Sequence, residues 1–124
     1  MKERTLTTIT EVFPTGTNIA TAKDGTIDVR GTETVTLYAN VTGASTNKIT
    51  VTLETSADNA TFFPLSTMTD SSGTTTVNNR KFEFTMNATT NKFQIPINVQ
   101  DNYLKITMIG TGTNTATLTA LQIS

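Results

Sequence analysis

From residue 34 to residue 55 the chain reads TVTLYANVTGASTNKITVTLET, and almost every second side chain is apolar. Val35, Leu37, Ala39 and Val41 fall on one side, and Thr34, Thr36, Tyr38 and Asn40 on the other. Beyond the loop, Ile49, Val51 and Leu53 alternate with Thr50, Thr52 and Glu54. Successive side chains of a strand point to opposite faces of its sheet, so this spacing predicts half-buried strands and argues against an amphipathic helix. Joined by TGASTNK, the two runs read as one long hairpin. The alternation returns in TIDVR, KFEFTM, KFQIPINV, YLKITM and TATLTAL, and less regularly in LTTITEVF and TFFPLSTM.

Composition points the same way. Threonine supplies 31 of the 124 residues, and a β-branched side chain suits a pleated surface better than a helix. Charged residues make up 15%, against about 25% in an ordinary globular chain. Clusters of Gly, Asn, Asp and Ser separate the runs, and Asp24-Gly25 between NIATA and TIDVR reads as a tight hairpin turn. Pro96 has no N–H to give to a ladder, so its strand is expected at a sheet edge or at a bulge. Leu121 and Ile123 leave the face set by Ala116, Leu118 and Ala120, which predicts a bulge or a change of neighbouring sheet there. The expected fold is all-β: an antiparallel, jelly-roll-like β-sandwich of about eight to ten short strands. It is expected to form a single domain over residues 1–124, with residues 1–5 as a flexible N-terminal arm.

The chemistry is sparse. Histidine and cysteine are both absent, which removes the commonest general base, the commonest metal ligand and the strongest nucleophile. A carboxylate pair is the remaining enzymatic route. Asp28, Glu33, Glu54, Glu83 and Asp101 each sit among turn or strand residues, where a solvated acid is the ordinary reading. No enzyme activity and no cofactor are expected. Oxygen ligands for calcium would have to come from Asp58-Asn59, Asp70 and Asp101-Asn102, but no stretch has the spacing of a calcium loop. GTGTNT at 110–115 precedes a strand pattern and not a helix, so it reads as a hairpin turn and not a phosphate loop.

With a net charge of -1 and no basic block, nucleic acid is not an expected partner. Nor is a membrane, since no apolar run is long enough to span one, and the start MKERTLTTITEVF has no signal-peptide core. The candidate contact residues are Lys2, Glu3 and Arg4, the one local charge cluster, and Tyr38 on the threonine side of its strand. Of the phenylalanines in TFFPL, one is expected in the core and the other over a rim.

The segment IDVRGTETVTLYANVTGASTNKITVTLETSADNATFFPL, with Ser56, Asp58, Thr61 and Phe62 near its end, resembles small virion proteins of tailed bacteriophages. So does INVQDNYLKITMIGTGTNTATLTALQI, which is similar to their closing hairpin and also to the last strands of discoidin-like sugar-binding sandwiches. The resemblance implies a β-sandwich on a virion that decorates or stabilises the outer capsid surface. It further implies a homo-oligomer, a trimer by preference, made in the host cytoplasm and bound to the major capsid protein or another virion protein. The rival expectation is a glycan- or receptor-binding module of a phage tail or a cell-surface protein, with Tyr38, Asp58 and Asn59 as its binding residues.

Overall fold

The computed structural model describes residues 7–124, and there the chain is all strand, turn and loop, with no helix. Residues 1–5, and with them Lys2, Glu3 and Arg4, lie outside the described residues. Eleven strands follow in order: β1 (Thr7–Asn18), β2 (Lys23–Asp28), β3 (Thr34–Gly43), β4 (Lys48–Ser56), β5 (Phe63–Pro64), β6 (Ser66–Ser71), β7 (Thr74–Asn79), β8 (Lys81–Thr85), β9 (Thr90–Asn98), β10 (Tyr103–Gly110) and β11 (Asn114–Ile123). The first sheet is four-stranded, in the order β1-β11-β3-β9. The second runs β2-β10-β4, and the far edge of β4 is shared by β5 and β8. All pairings are antiparallel. With the insert β5 to β7 set aside, every connection crosses from one sheet to the other except β4 to β8, which are neighbours in the second sheet, and this is a jelly-roll-like path.

That path corrects the hairpin reading of residues 34–55. β3 pairs with β11 and β9, whereas β4 pairs with β10, β5 and β8, so TGASTNK is an arch between sheets. GTGTN is likewise an arch, from β10 to β11. The alternation itself holds. Val35, Leu37, Ala39 and Val41 are buried with Ala116, Leu118, Ala120, Ile95 and Ile97 on the inner face of the first sheet. Ile27, Ile49, Val51, Leu53, Leu104, Ile106 and Met108 oppose them from the second. Phe84 and Phe93 close one flank of the sandwich edge-to-face, with centroids 5.0 Å apart.

Three local expectations fare differently. Pro96 lies on β9, an edge strand, opposite Thr36. Asp24-Gly25 is not a turn: it sits inside β2, where Gly25 pairs with Ile106. The glycine answers a packing need, since a Cβ there would come 2.5 Å from Val12 Cγ1 of the overlying strand. β11 carries no bulge. Its register with β3 is continuous, and the inward position after Ala120 is taken by Gln122, which is buried and satisfied. Its Oε1 accepts from Thr10 Oγ1 at 2.8 Å and its Nε2 donates to Asp28 O at 2.8 Å. The register shifts lie instead on β1, between Glu11 and Phe13 and between Phe13 and Thr17. There Phe13 sinks into the core while Pro14 and Thr15 stay exposed.

At one end of the sandwich the crossings meet on a buried side chain, Asn114. Its Nδ2 donates to Thr111 O at 2.8 Å and Gly112 O at 3.3 Å, and its Oδ1 accepts from Asn47 Nδ2 of the β3–β4 arch at 2.8 Å. Its backbone oxygen accepts from Ile19 N of the β1–β2 crossing at 3.0 Å. Asn47 O in turn accepts from Met86 N, at the start of the β8–β9 crossing, at 2.9 Å. Gly110 leaves the room this needs, because a Cβ there would come 2.5 Å from Asn114 Nδ2.

Two substitutions test this packing by urea unfolding. Gly25→Ala should cost about 1–3 kcal/mol through overpacking against Val12. Asn114→Ala should cost about 1–3 kcal/mol, from the loss of its part-buried hydrogen bonds to Asn47, Thr111 and Gly112. Thr36→Ala, on the outer face, should stay within about 0.5 kcal/mol of the unsubstituted chain.

Candidate functional site

The outer faces of the two sheets have opposite character, and register defines both. Across the first sheet, one row of outward side chains is Ile9, Leu121, Thr36 and Pro96, and the next is Glu11, Thr119, Tyr38 and Gln94. Beyond them lie Thr117, Asn40 and Lys92, then Thr115, Thr42 and Thr90. At the other end lie Thr7, Ile123, Thr34 and Asn98. The only charges in these rows are Glu11 on β1 and Lys92 on β9, at opposite edges of the sheet. Ile9 is 72% exposed, and Tyr38, at 45%, stands near the centre.

Tyr38 is the candidate contact residue that the structure describes, and it has company. With Asn40, Lys92, Gln94, Thr117 and Thr119 it lines an open depression of about 540 Å³. Among the described residues none of these side chains has a hydrogen-bond or ion-pair partner. An aromatic ring ringed by uncommitted amides and hydroxyls can pack against a partner and bond to it at once. The sequence singled out Tyr38 alone. Lys92 and Gln94 become its neighbours only through the β3–β9 register, which no local pattern specifies.

The second sheet's outer face is charged and internally paired. Lys48 Nζ lies 2.7 Å from Glu83 Oε1, and Lys81 Nζ lies 3.7 Å from Glu83 Oε2. Arg30 makes a bidentate contact to Asp28, with Nη2 2.6 Å from Oδ2 and Nε 3.0 Å from Oδ1, and its guanidinium sits 5.5 Å from the Tyr103 ring centre. Lys105 Nζ stands 4.2 Å over the ring of Phe62. Phe62 is thus half-buried beneath a cation and Phe63 is 66% exposed, so neither enters the core. Leu65 packs against the core in their place. Of the acids weighed for catalysis, Asp28 and Glu83 are held in ion pairs, Glu54 lies opposite Lys105 on the same face, and Glu33 and Asp101 sit in turns.

The Ser56-x-Asp58-x-x-Thr61 motif is a turn. Ser56 Oγ accepts from Asp58 N at 3.2 Å and Asn59 N at 3.0 Å, and Asp58 Oδ1 accepts from Ala60 N and Thr61 N, both at 2.9 Å. Asn59 takes the left-handed backbone angle, φ 61°, that this turn requires. Asp101 Oδ1 accepts from Asn102 N at 2.9 Å, and Asn102 Nδ2 donates to Ala57 O at 3.0 Å, so this pair also serves loop structure. Asp70 falls on β6 and not in a loop. Among the described residues no three acidic groups gather as a metal site.

Hydrogen bonds from Thr61 N, Ala60 N and Ser56 hold the Asp58 carboxyl below the usual carboxylate range. The Arg30 side chain does the same for Asp28, and Lys48 for Glu83. A lowered folded-state value means the unfolded chain binds more protons in acid. The stabilisation is therefore complete above the unfolded values, near pH 4, and is lost as pH falls through the folded ones. Thermal melts should hold one midpoint between about pH 6 and 8 and decline below about pH 4. Asp58→Asn should make that decline shallower.

No protein-family model and no curated protein matches the chain. Among solved structures it is similar to a CBM4 carbohydrate-binding module, at 14% identity and a TM-score of 0.46, over 95% of this chain and 68% of that one. It is similar to a chain of the broad bean stain virus structure, at 9% identity and a TM-score of 0.48, over 94% and 86% respectively. A third is the dimeric latent PorU of Porphyromonas gingivalis, at 11% identity and a TM-score of 0.48, over 94% of this chain and 12% of that one. The fold is defined by this chain's own strand order and register.

Proposed function

We propose that this protein is a non-enzymatic structural component of a virion, decorating or stabilising the outer surface of a bacteriophage capsid. Its working surface is the outer face of the four-stranded sheet. The observation that carries the reading is the contrast between the two outer faces. One spends most of its charges on internal pairs, whereas the other is almost uncharged and, among the described residues, keeps the amides, hydroxyls and tyrosine of its depression uncommitted. A face of that kind buries with little desolvation cost and offers hydrogen bonds across a contact with protein. The assignment to a phage capsid follows the resemblance carried by residues 27–65 and 97–123.

The glycan- or receptor-binding reading has one observation in its favour, the Tyr38 depression with Asn40 and Gln94 at its wall. Immunogold electron microscopy of particles from the source lysate, with antibody against the recombinant chain, separates the two. Gold spread over the heads is the expected outcome. Gold confined to tails, or absent from particles, overturns the capsid reading. Saturation-transfer NMR against a panel of oligosaccharides, with signals that vanish in Tyr38→Ala, would then establish the glycan reading.

A further inference from the structure

We propose that the outer face of the four-stranded sheet docks onto the same face of a second copy of this chain, about a two-fold axis parallel to the strands. This rests on the reading of that face as the working surface and names its occupant. Such an axis lays the β1 edge of one copy over the β9 edge of the other. Glu11 then stands over the row of the partner's Gln94, one row from the partner's Lys92. A row is two residues, about 7 Å, a step that a lysine side chain spans. The operation is its own inverse, so the pair forms twice. Both charges are exposed, and neither has a partner among the described residues. A face with one acid and one base at opposite edges is complementary to itself under this axis. An axis across the strands would instead bring each edge over its own kind.

The apolar side chains follow the same operation. Ile9 meets the partner's Pro96, the central Leu121 meets the partner's Thr36, and Tyr38 lies against the partner's Thr119. Four strands about 4.8 Å apart and ten residues long cover about 600 Å². The contact therefore buries about 1,200 Å² in all, at the lower bound for a specific interface. Joining by sheet extension is disfavoured, because one edge of this sheet is β1, broken by two register shifts, and the other is β9, which carries Pro96. The face is left as the route, and closing two identical faces on each other gives a dimer and not the trimer implied by the resemblance.

Sedimentation velocity on the full chain tests this with Glu11→Lys, Lys92→Glu and the double reversal. The unsubstituted chain is expected to be a dimer. Each single reversal sets like charges together and should weaken association at least tenfold. The double reversal should bring it back to within about threefold, a 1.4 kcal/mol step being tenfold. Thermal melts check folding, which the two exposed residues should leave unchanged. A monomer at every concentration, a trimer, a dimer indifferent to the single reversals, or a double reversal without rescue would each overturn the proposal. Particle labelling is read separately: a monomer that still labels heads sinks the self-docking alone, and a charge-sensitive dimer that labels no heads sinks the capsid reading alone.

Discussion

The arrangement depends on one polar contact in an apolar interior. Asn114 ties its own arch to Asn47 of the β3–β4 arch and to Ile19 of the β1–β2 crossing, and through Asn47 to Met86. The apolar rows of the two sheets attract each other without direction, and alone they would tolerate sliding. Hydrogen bonds at a shared corner do not, because a displaced arch leaves buried carbonyls without donors. Gly43 and Gly110 belong to the same device, since side chains at either position would occupy the space of the amide. The corner thus sets how the sheets sit on each other, and with it the rows that each outer face presents.

Much of the fold was legible because strand alternation is a local property. Whether Leu37 points inward depends on its two neighbours along the chain, and the sequence displays that directly. Pairing is different. The alternation of β3 and β4 is the same whether they meet in one sheet or face each other across the core, so hairpin and arch could not be told apart. Gln122 shows the limit from the other side. An inward polar residue reads as a break in the pattern until Thr10 and Asp28, far away in sequence, are seen to satisfy it. Asp24-Gly25 has the composition of a turn, but its glycine answers to Val12 above it and not to backbone curvature. The candidate site was legible to one residue, Tyr38, because Lys92, Gln94, Thr117 and Thr119, most of its neighbours in the depression, arrive from two other strands.

Charge, too, is sorted by topology and not by sequence. Acids and bases are scattered along the chain, yet folding gathers most strand charges on the outside of the second sheet. Threonine takes much of the first sheet's exterior. Its methyl and hydroxyl cover a pleated surface with no net charge, so water wets the face and protein can displace that water. The edges are guarded by other means, register shifts on β1 and a proline on β9, in place of the charges this chain lacks.

The place of the last two strands carries a consequence for how the molecule is made. β10 lies between β2 and β4, and β11 between β1 and β3, so the centre of each sheet is supplied by the last two strands. Neither sheet is complete until β10 and β11 have left the ribosome. At about 5–20 residues per second, the stretch from β1 to β11 takes on the order of ten seconds, with β1 and β2 waiting for their partners. β3 can pair with β9, and β4 with β5 and β8, before then, but β1 and β2 cannot, and long-range closure of this kind runs in milliseconds to seconds once the last strands emerge. Strands that alternate apolar residues with threonine are suited to such a wait, being wettable along half their length while they remain single.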